Sequence, residues 1–340
     1  MSHIMLTRAC NLRCPYCFAK DVLDAQKDII TMENFKKAKE FLLTGSNHVG
    51  LIGGEPLLHP QILDIMQDII EDNRIIYATI YTNGVHLDKI AYKFTNTKFS
   101  TLINVNSVNV MGETNYNKMV ANIDELHNKF SCGNKINFGY NIYGHEYDYQ
   151  YIIDLCKKYK KHSLRVSICV PNSEEGRNPK SLDWFRKVTP NLFKFFQDLY
   201  DNEIVPHFDC NNLPICVSTV EQKNLMIKLH EMGEKYGHRT NLLNSCSACN
   251  PIIDILPDLK AVRCFGMSEH LQVSIENFED IDALSSYFET EIDSYKFVTI
   301  GNPECKECPK RTSRECIAGC LAYKDEMIKK ASQAVKEMNI

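Results

Sequence analysis

The sequence predicts an α/β fold, with parallel strands curled into a full or partial barrel and a smaller cysteine-rich segment behind it. Three observations predict this. Six strand-like stretches alternate with helix-like ones in the first half of the chain, and the polar residues of several strands share one face. The cysteines are unevenly placed: three lie within residues 10–17 and nine within 210–320. Strand-helix alternation implies parallel pairing, because each helix carries the chain back to begin the next strand in the same direction.

The strands read, in order, HIMLT (3–7), HVGLIGG (48–54), IIYATIYTNG (75–84), STLINVNS (100–107), INFGYNIY (136–143) and SLRVSICV (163–170). Between them, stretches such as MENFKKAKEFLLTG and PQILDIMQDIIED carry apolar residues at helical spacing. Such a barrel has its chemistry at the C-terminal ends of its strands. The segment RACNLRCPYCFAK (8–20) follows the first strand directly, so Cys10, Cys14 and Cys17 fall at that end. Side chains alternate faces along a strand. With Val166, Ile168 and Val170 against helices, Arg165, Ser167 and Cys169 turn inward; with Ile136, Phe138, Tyr140 and Ile142 outward, Asn137 and Asn141 turn inward. Asn104 and Asn106 share a face, as do Tyr77, Thr79, Tyr81 and Asn83. The inferred interior is polar and suits a hydrophilic ligand, although an exposed polar face on an open antiparallel sheet would show the same alternation.

A chain of 340 residues, 44% of them hydrophobic, can bury a substantial core. Its 39 basic and 43 acidic residues give a net charge of -4 without a basic block, which argues against a nucleic-acid binder. No apolar run is long enough to cross a bilayer and no secretory signal is visible, so a reducing cytoplasm is expected. There, fifteen cysteines are better explained by metal than by disulfides. Three thiolates leave one iron of a [4Fe-4S] cubane without a protein ligand, open to something that reacts there; zinc is the other reading of the spacing.

CxxxCxxC, with Tyr16 before its last cysteine, resembles the signature of the radical S-adenosylmethionine (SAM) superfamily. GGEP (Gly53, Gly54, Glu55, Pro56) after the second strand and TNG (Thr82, Asn83, Gly84) after the third resemble that family's SAM-binding motifs in position and order. The resemblance implies a partial (β/α)6 TIM-like barrel with a [4Fe-4S] cluster on Cys10, Cys14 and Cys17. It also implies reductive cleavage of SAM to methionine and a 5'-deoxyadenosyl radical, which abstracts hydrogen from a substrate. Carried over to this sequence, the carbonyls of Gly53 and Gly54 meet the methionine ammonium, although the pair also reads as a turn. Arg165 pairs with the methionine carboxylate or with a neighbouring acid. Asn104, Asn106 and Ser107 stand where ribose contacts are made, without the family's usual serine and acidic pair. Tyr16 faces adenine or packs the loop.

Near the C-terminus, CKECPKRTSRECIAGC sets Cys305, Cys308, Cys316 and Cys320 at spacings that suit either zinc or iron-sulfur. Behind such a barrel it resembles a SPASM extension, named for maturases of subtilosin, pyrroloquinoline quinone, anaerobic sulfatases and mycofactocin. Cys249 and Cys264, flanking a hairpin around Pro257 and Asp258, belong to the same pattern. By that likeness Cys249, Cys264 and Cys320, with Cys246, hold a nearer auxiliary cluster, and Cys305, Cys308 and Cys316 a farther one. The pattern is imperfect. No cysteine follows Cys320, and Leu259 stands where a glycine is usual. Cys210 or Cys216 could fill the vacancy, or could be small buried hydrophobes in a bridging loop.

The expected organisation is a barrel over 1–200, a bridging segment with a helix at 218–237 over 201–240, and a SPASM-like domain with a final helix over 241–340. No leader-gripping domain is expected before a first strand that starts so near Met1. The function implied is modification of a peptide or protein side chain by crosslinking, epimerisation or oxidation, with flavodoxin or ferredoxin as electron donor. A small metabolite or cofactor precursor is the alternative substrate, and a non-catalytic iron-sulfur or zinc redox protein the alternative class. Cys169 is either a hydrogen-atom donor or a packing residue.

Overall fold

The structure is a computed structural model and describes residues 2–17, 28–168, 181–208, 213–238, 240–243 and 249–338. Cys169, Cys210 and Cys246 lie outside the described residues.

The described residues form ten strands: β1 (His3–Met5), β2 (His48–Ile52), β3 (Tyr77–Thr82), β4 (Phe99–Asn104), β5 (Ile136–Ile142), β6 (Ser163–Ile168), β7 (Val205–Phe208), β8 (Asp254–Ile255), β9 (Lys260–Val262) and β10 (Val273–Ser274). The main helices are α1 (Met32–Leu42), α2 (Ile62–Glu71), α3 (Glu113–Asp124), α4 (Gln150–Lys158), α5 (Leu182–Asp201), α6 (Val220–Lys235), α7 (Ile281–Glu291) and α8 (Asp325–Met338). All six expected strands are present, and β4 starts one residue early. Several stop short at their C-terminal ends, where Leu6–Thr7, Gly53–Gly54, Asn83–Gly84 and Val105–Ser107 become loops. The sequence reading missed β7, whose four residues include Pro206, and the two-residue β10: both are too short for a period of two to register.

The chain forms two compact units, residues 1–137 with 251–289, and 138–250 with 290–340. In the first, the strand order is β10-β9-β8-β1-β2-β3-β4. The pairs from β1 to β4 are parallel. Strand β8 also pairs with β1 in parallel, His3 opposite Asp254, and turns antiparallel into β9. The expected hairpin around Pro257 and Asp258 is therefore hydrogen-bonded onto the first strand. His3 Nδ1 meets Asp254 Oδ1 at 2.6 Å across that pair.

Alternation decides which face is packed. Val49, Leu51, Ala78, Ile80, Phe99, Thr101 and Ile103 are buried, whereas Thr79, Tyr81, Ser100 and Asn104 on the opposite face are only half-buried. Helix α1 buries Phe35, Ala38 and Leu42, and α2 buries Ile62, Ile65, Met66 and Ile69, each at the three- and four-residue spacing of one helix face. Every such Ile or Leu contributes about 2 kcal/mol. Thr31 caps α1, its hydroxyl accepting the Asn34 N–H at 3.1 Å.

The second unit has parallel β5-β6-β7. Here too Phe138, Tyr140, Ile142, Val166 and Ile168 are buried while Asn141 and Arg165 are half-buried. Helix α5 buries Phe185, Val188, Leu192, Phe195, Phe196 and Leu199. The expected connecting helix is α6, opened by a capping box between Thr219 and Gln222.

Candidate functional site

Three loops at the C-terminal ends of β1, β2 and β3 are fastened into one construction. The first carries the cysteines. It turns tightly, Cys17 N–H donating to the Cys14 carbonyl at 3.1 Å, and Leu12 N–H points at Cys10 Sγ at 3.4 Å. The second carries GGEP. Gly54 N–H donates to the Thr7 carbonyl and Glu55 N–H to the Ala9 carbonyl, both at 2.8 Å, so the GGEP backbone lies directly against the start of the cysteine loop. A Cβ at Gly53 would sit 2.6 Å from the Thr7 carbonyl oxygen, and one at Gly54 would crowd the Ala9 carbonyl more closely still. The two glycines are thus required by the approach of the cysteine loop.

Glu55 is completely buried and spends its carboxylate on the protein. Oε1 accepts from Leu57 N–H at 3.1 Å and the Thr82 hydroxyl at 2.6 Å, and Oε2 accepts from Asn83 N–H at 2.8 Å. Burial pushes its pKa up to about 7 against the pull of those three hydrogen bonds. Asn83 continues the chain of contacts: Nδ2 donates to Asn11 Oδ1 at 2.9 Å, and Oδ1 accepts from Val85 N–H at 3.0 Å. Gly84 adopts a φ of +81°, which only glycine takes without strain.

Beyond β4, buried Asn106 reaches the same loop. Its Oδ1 accepts the Tyr16 hydroxyl at 2.6 Å, and its Nδ2 donates to Cys14 Sγ at 3.6 Å and to the Asn104 carbonyl at 3.5 Å. Among the expected SAM contacts, then, Glu55, Asn83, Asn106 and Tyr16 all have structural partners. Sequence reading had no signal for Asn11, whose role exists only because Asn83 lies opposite it. In the second unit, Arg165 Nη1 donates to Asn141 Oδ1 at 2.8 Å, joining two residues that strand parity had placed on one face.

The thiols suit a metal cluster. Burial raises the Cys10 thiol to about 11, with Glu55 and Cys17 adding to it, and the Cys14 thiol to about 12, with Cys17 and Cys10 adding to it. Such thiols ionise only against a strong local positive charge, which iron supplies. The N–H groups aimed at Cys10 and Cys14 suit thiolates bound to iron.

A second set of cysteines gathers in the second unit. Cys308 N–H donates to the Cys305 carbonyl at 3.3 Å, and Ala318 N–H to Cys316 Sγ at 3.3 Å. Fully buried Lys324 lies beside them, its Nζ donating to the carbonyls of Lys296 at 3.0 Å, Thr299 at 3.4 Å and Ile317. Burial draws its pKa down to about 8, while the thiolates of Cys316, Cys320 and Cys305 oppose that fall. Among the described residues no three His, Cys, Asp or Glu side chains converge tightly enough for a single ion. A cubane places each thiolate on a different iron and so spreads its ligands further apart. Cys264, in the first unit, receives an N–H from Arg263 Nη1 at 3.9 Å. Among the described residues no helix is long and apolar enough to cross a membrane.

An α/β sheet with a locked three-thiol loop after its first strand defines a class of iron-sulfur proteins that bind a small ligand at an open iron. The chain belongs to the radical SAM superfamily, whose model matches residues 4–173, half of its length. SAM and a [4Fe-4S] cluster are the cofactors of this superfamily of enzymes. Molybdenum cofactor biosynthesis protein 1 of Bos taurus is 34% identical over 90 residues, 26% of this chain and 14% of that protein. GTP 3',8-cyclase of Microcystis aeruginosa is 36% identical over 93 residues, 26% of this chain and 28% of the cyclase. These matches span less than a third of the relatives' own length. Streptococcus suis SuiB, solved bound to S-adenosylmethionine, shares the fold with a TM-score of 0.59 at 16% identity, over 96% of this chain and 73% of that one.

Proposed function

We propose that this chain cleaves SAM reductively and uses the resulting radical to modify a peptide or protein side chain. The observation that carries the first half is the cysteine loop itself, three thiols within eight residues held from GGEP, TNG and Asn106. When bound, a [4Fe-4S] cluster supplies the electron for that cleavage. The protein's own part is to keep Cys10, Cys14 and Cys17 in one arrangement through Glu55, Asn83 and Asn106, and to offer a half-buried polar face beside them for a hydrophilic ligand. Flavodoxin or ferredoxin is the electron donor of this reading. Peptide modification draws support from the SPASM-like cysteine pattern and from the fold likeness to SuiB over 96% of the chain. The organisation that goes with it is a barrel over 1–200, a bridge over 201–240 and a SPASM-like domain over 241–340, with an auxiliary cluster in the last.

A second reading, a small-metabolite substrate, draws on the names of the curated relatives, which match over about a quarter of the chain. Anaerobically reconstituted protein reduced with dithionite is expected to form 5'-deoxyadenosine from SAM, and Cys14→Ala to abolish it. Retained activity in that variant would overturn the ligand assignment. Faster cleavage on adding a short peptide encoded beside the gene supports the peptide reading, whereas faster cleavage on adding GTP supports the second.

A further inference from the structure

With Cys320 assigned to the nearer set and no cysteine after it, Cys305, Cys308 and Cys316 of the farther set need a fourth thiolate from elsewhere in the chain. A cubane held by the protein alone takes four thiolates. The second unit brings a distant cysteine to them. Cys216 stands in the short 3-10 turn Ile215–Val217, which packs on α5. Near its start, α5 also presents Arg186, whose Nη2 and Nη1 grip the Glu304 carboxylate at 2.7 and 3.1 Å, a two-pronged pairing next to Cys305. One helix therefore positions both segments.

The charges report the same neighbourhood. Partial desolvation raises the Cys216 thiol, and Cys316 and Cys308 raise it further, while the Arg186 guanidinium opposes them. The Cys305 thiol is raised by burial, then by Cys216, Cys316 and Cys308. Cys216 is also exposed, which sets aside the reading of it as a small buried hydrophobe.

We propose that Cys216 supplies the fourth thiolate to an auxiliary [4Fe-4S] cluster whose other ligands are Cys305, Cys308 and Cys316. This rests on the reading above only in assuming an auxiliary cluster. It leaves Cys320 to other duty, and the Arg186–Glu304 pair becomes the strut that keeps the bridging turn on the cysteine loop.

The test is thiol footprinting of the full-length, anaerobically reconstituted protein with iodoacetamide, read by peptide mass spectrometry. Cys216 is expected to alkylate readily in the iron-free protein and at least about tenfold more slowly with iron bound, in step with Cys305, Cys308 and Cys316. In a chain carrying Cys10→Ala, Cys14→Ala and Cys17→Ala, adding Cys216→Ala should lower bound iron by about four atoms per chain or leave a three-iron signal in its EPR spectrum. Cys216 is exposed, so its truncation leaves the core intact, and Cys216→Ser provides a same-size check. A Cys216 that alkylates at the iron-free rate in iron-replete protein overturns the proposal, as does zinc in place of iron or a Cys216→Ala variant with its parent's iron content and spectrum. Formation of 5'-deoxyadenosine by the Cys216→Ala single variant is scored separately, so SAM cleavage and this ligand assignment can fail independently.

Discussion

Asn83 donates its side-chain amide to Asn11 at 2.9 Å, so the end of the third strand is tied directly to the cysteine loop. Asn83 is also held by Glu55 through its own N–H. Asn83→Ala deletes the tie and leaves Asn11 and Val85 N–H without this partner. Groups that orient metal ligands are commonly worth about 10–100-fold in metal affinity or activity. Cluster iron after reconstitution, and 5'-deoxyadenosine formed per minute, are expected to fall within that range while the apo circular dichroism is unchanged.

Tyr16 and Asn106 make a comparable pair on the other side of the loop. Tyr16→Phe removes a 2.6 Å hydrogen bond and leaves Asn106 Oδ1 without the hydroxyl. The expected stability loss is about 1–2 kcal/mol. Asn106→Ala also removes the N–H directed at Cys14 Sγ, so the reduction potential of the cluster on this loop should move to a more negative value. Urea titration checks the first outcome and an EPR-monitored redox titration the second.

Glu55 makes the first unit sensitive to pH. Its pKa is raised from the ordinary 4.5 to about 7, so between those values the folded chain binds more protons than the unfolded one. The stability it contributes is complete below 4.5 and is lost as pH rises through 7, about 3 kcal/mol in all. His48, drawn down to about 4 by burial first and then by the His3 charge, titrates in the opposite sense in the same window. The readout is therefore the difference between wild type and Glu55→Gln. The variant, whose amide meets Asn83 N–H with a donor, should be less stable at every pH and should lack the downward slope.

Leu259 holds a left-handed φ of +64° in the β8–β9 turn, where the family pattern has glycine, and is only 6% exposed. Leu259→Gly would relieve roughly 1 kcal/mol of backbone strain but forfeit about 3 kcal/mol of buried side chain. The net expectation is a destabilisation of about 2 kcal/mol in a urea titration. A more stable variant would mean that backbone strain outweighs packing at this turn.

Lys324 is a buried cation among carbonyls and cysteines. Lys324→Met keeps the stem but leaves the Lys296, Thr299 and Ile317 carbonyls without their donor, an expected loss of about 2 kcal/mol. Removing a positive charge beside Cys316 and Cys320 should also make any cluster there harder to reduce. Thermal unfolding of the apo form and redox titration of the reconstituted form measure the two effects.

Alternation and spacing are local properties, and the sequence carried them well. The six strands, the helices Met32–Leu42 and Val220–Lys235, the Pro257–Asp258 hairpin and the placement of three thiols after β1 were all legible, because each depends on residues within a few positions of one another. What sequence alone left open is which distant groups meet. Motif resemblance makes Glu55 and Asn83 SAM contacts, and only the structure shows Glu55 satisfied by Leu57, Thr82 and Asn83, and Asn83 by Asn11 and Val85. Leu259 was legible as a departure, but its left-handed backbone was not.

By itself, then, the sequence determined the order of elements, the face each strand buries and the number of thiols available at each end, since these follow from short-range geometry and composition. Only the tertiary structure decided that Gly53 and Gly54 make room for the cysteine loop, that Asn106 reaches Cys14, and that α5 contacts both the Ile215–Val217 turn and Glu304. The physical reason is that a hydrogen bond or a shared charge between residues ninety positions apart depends on how the intervening chain closes, and nothing in the local spacing encodes that closure.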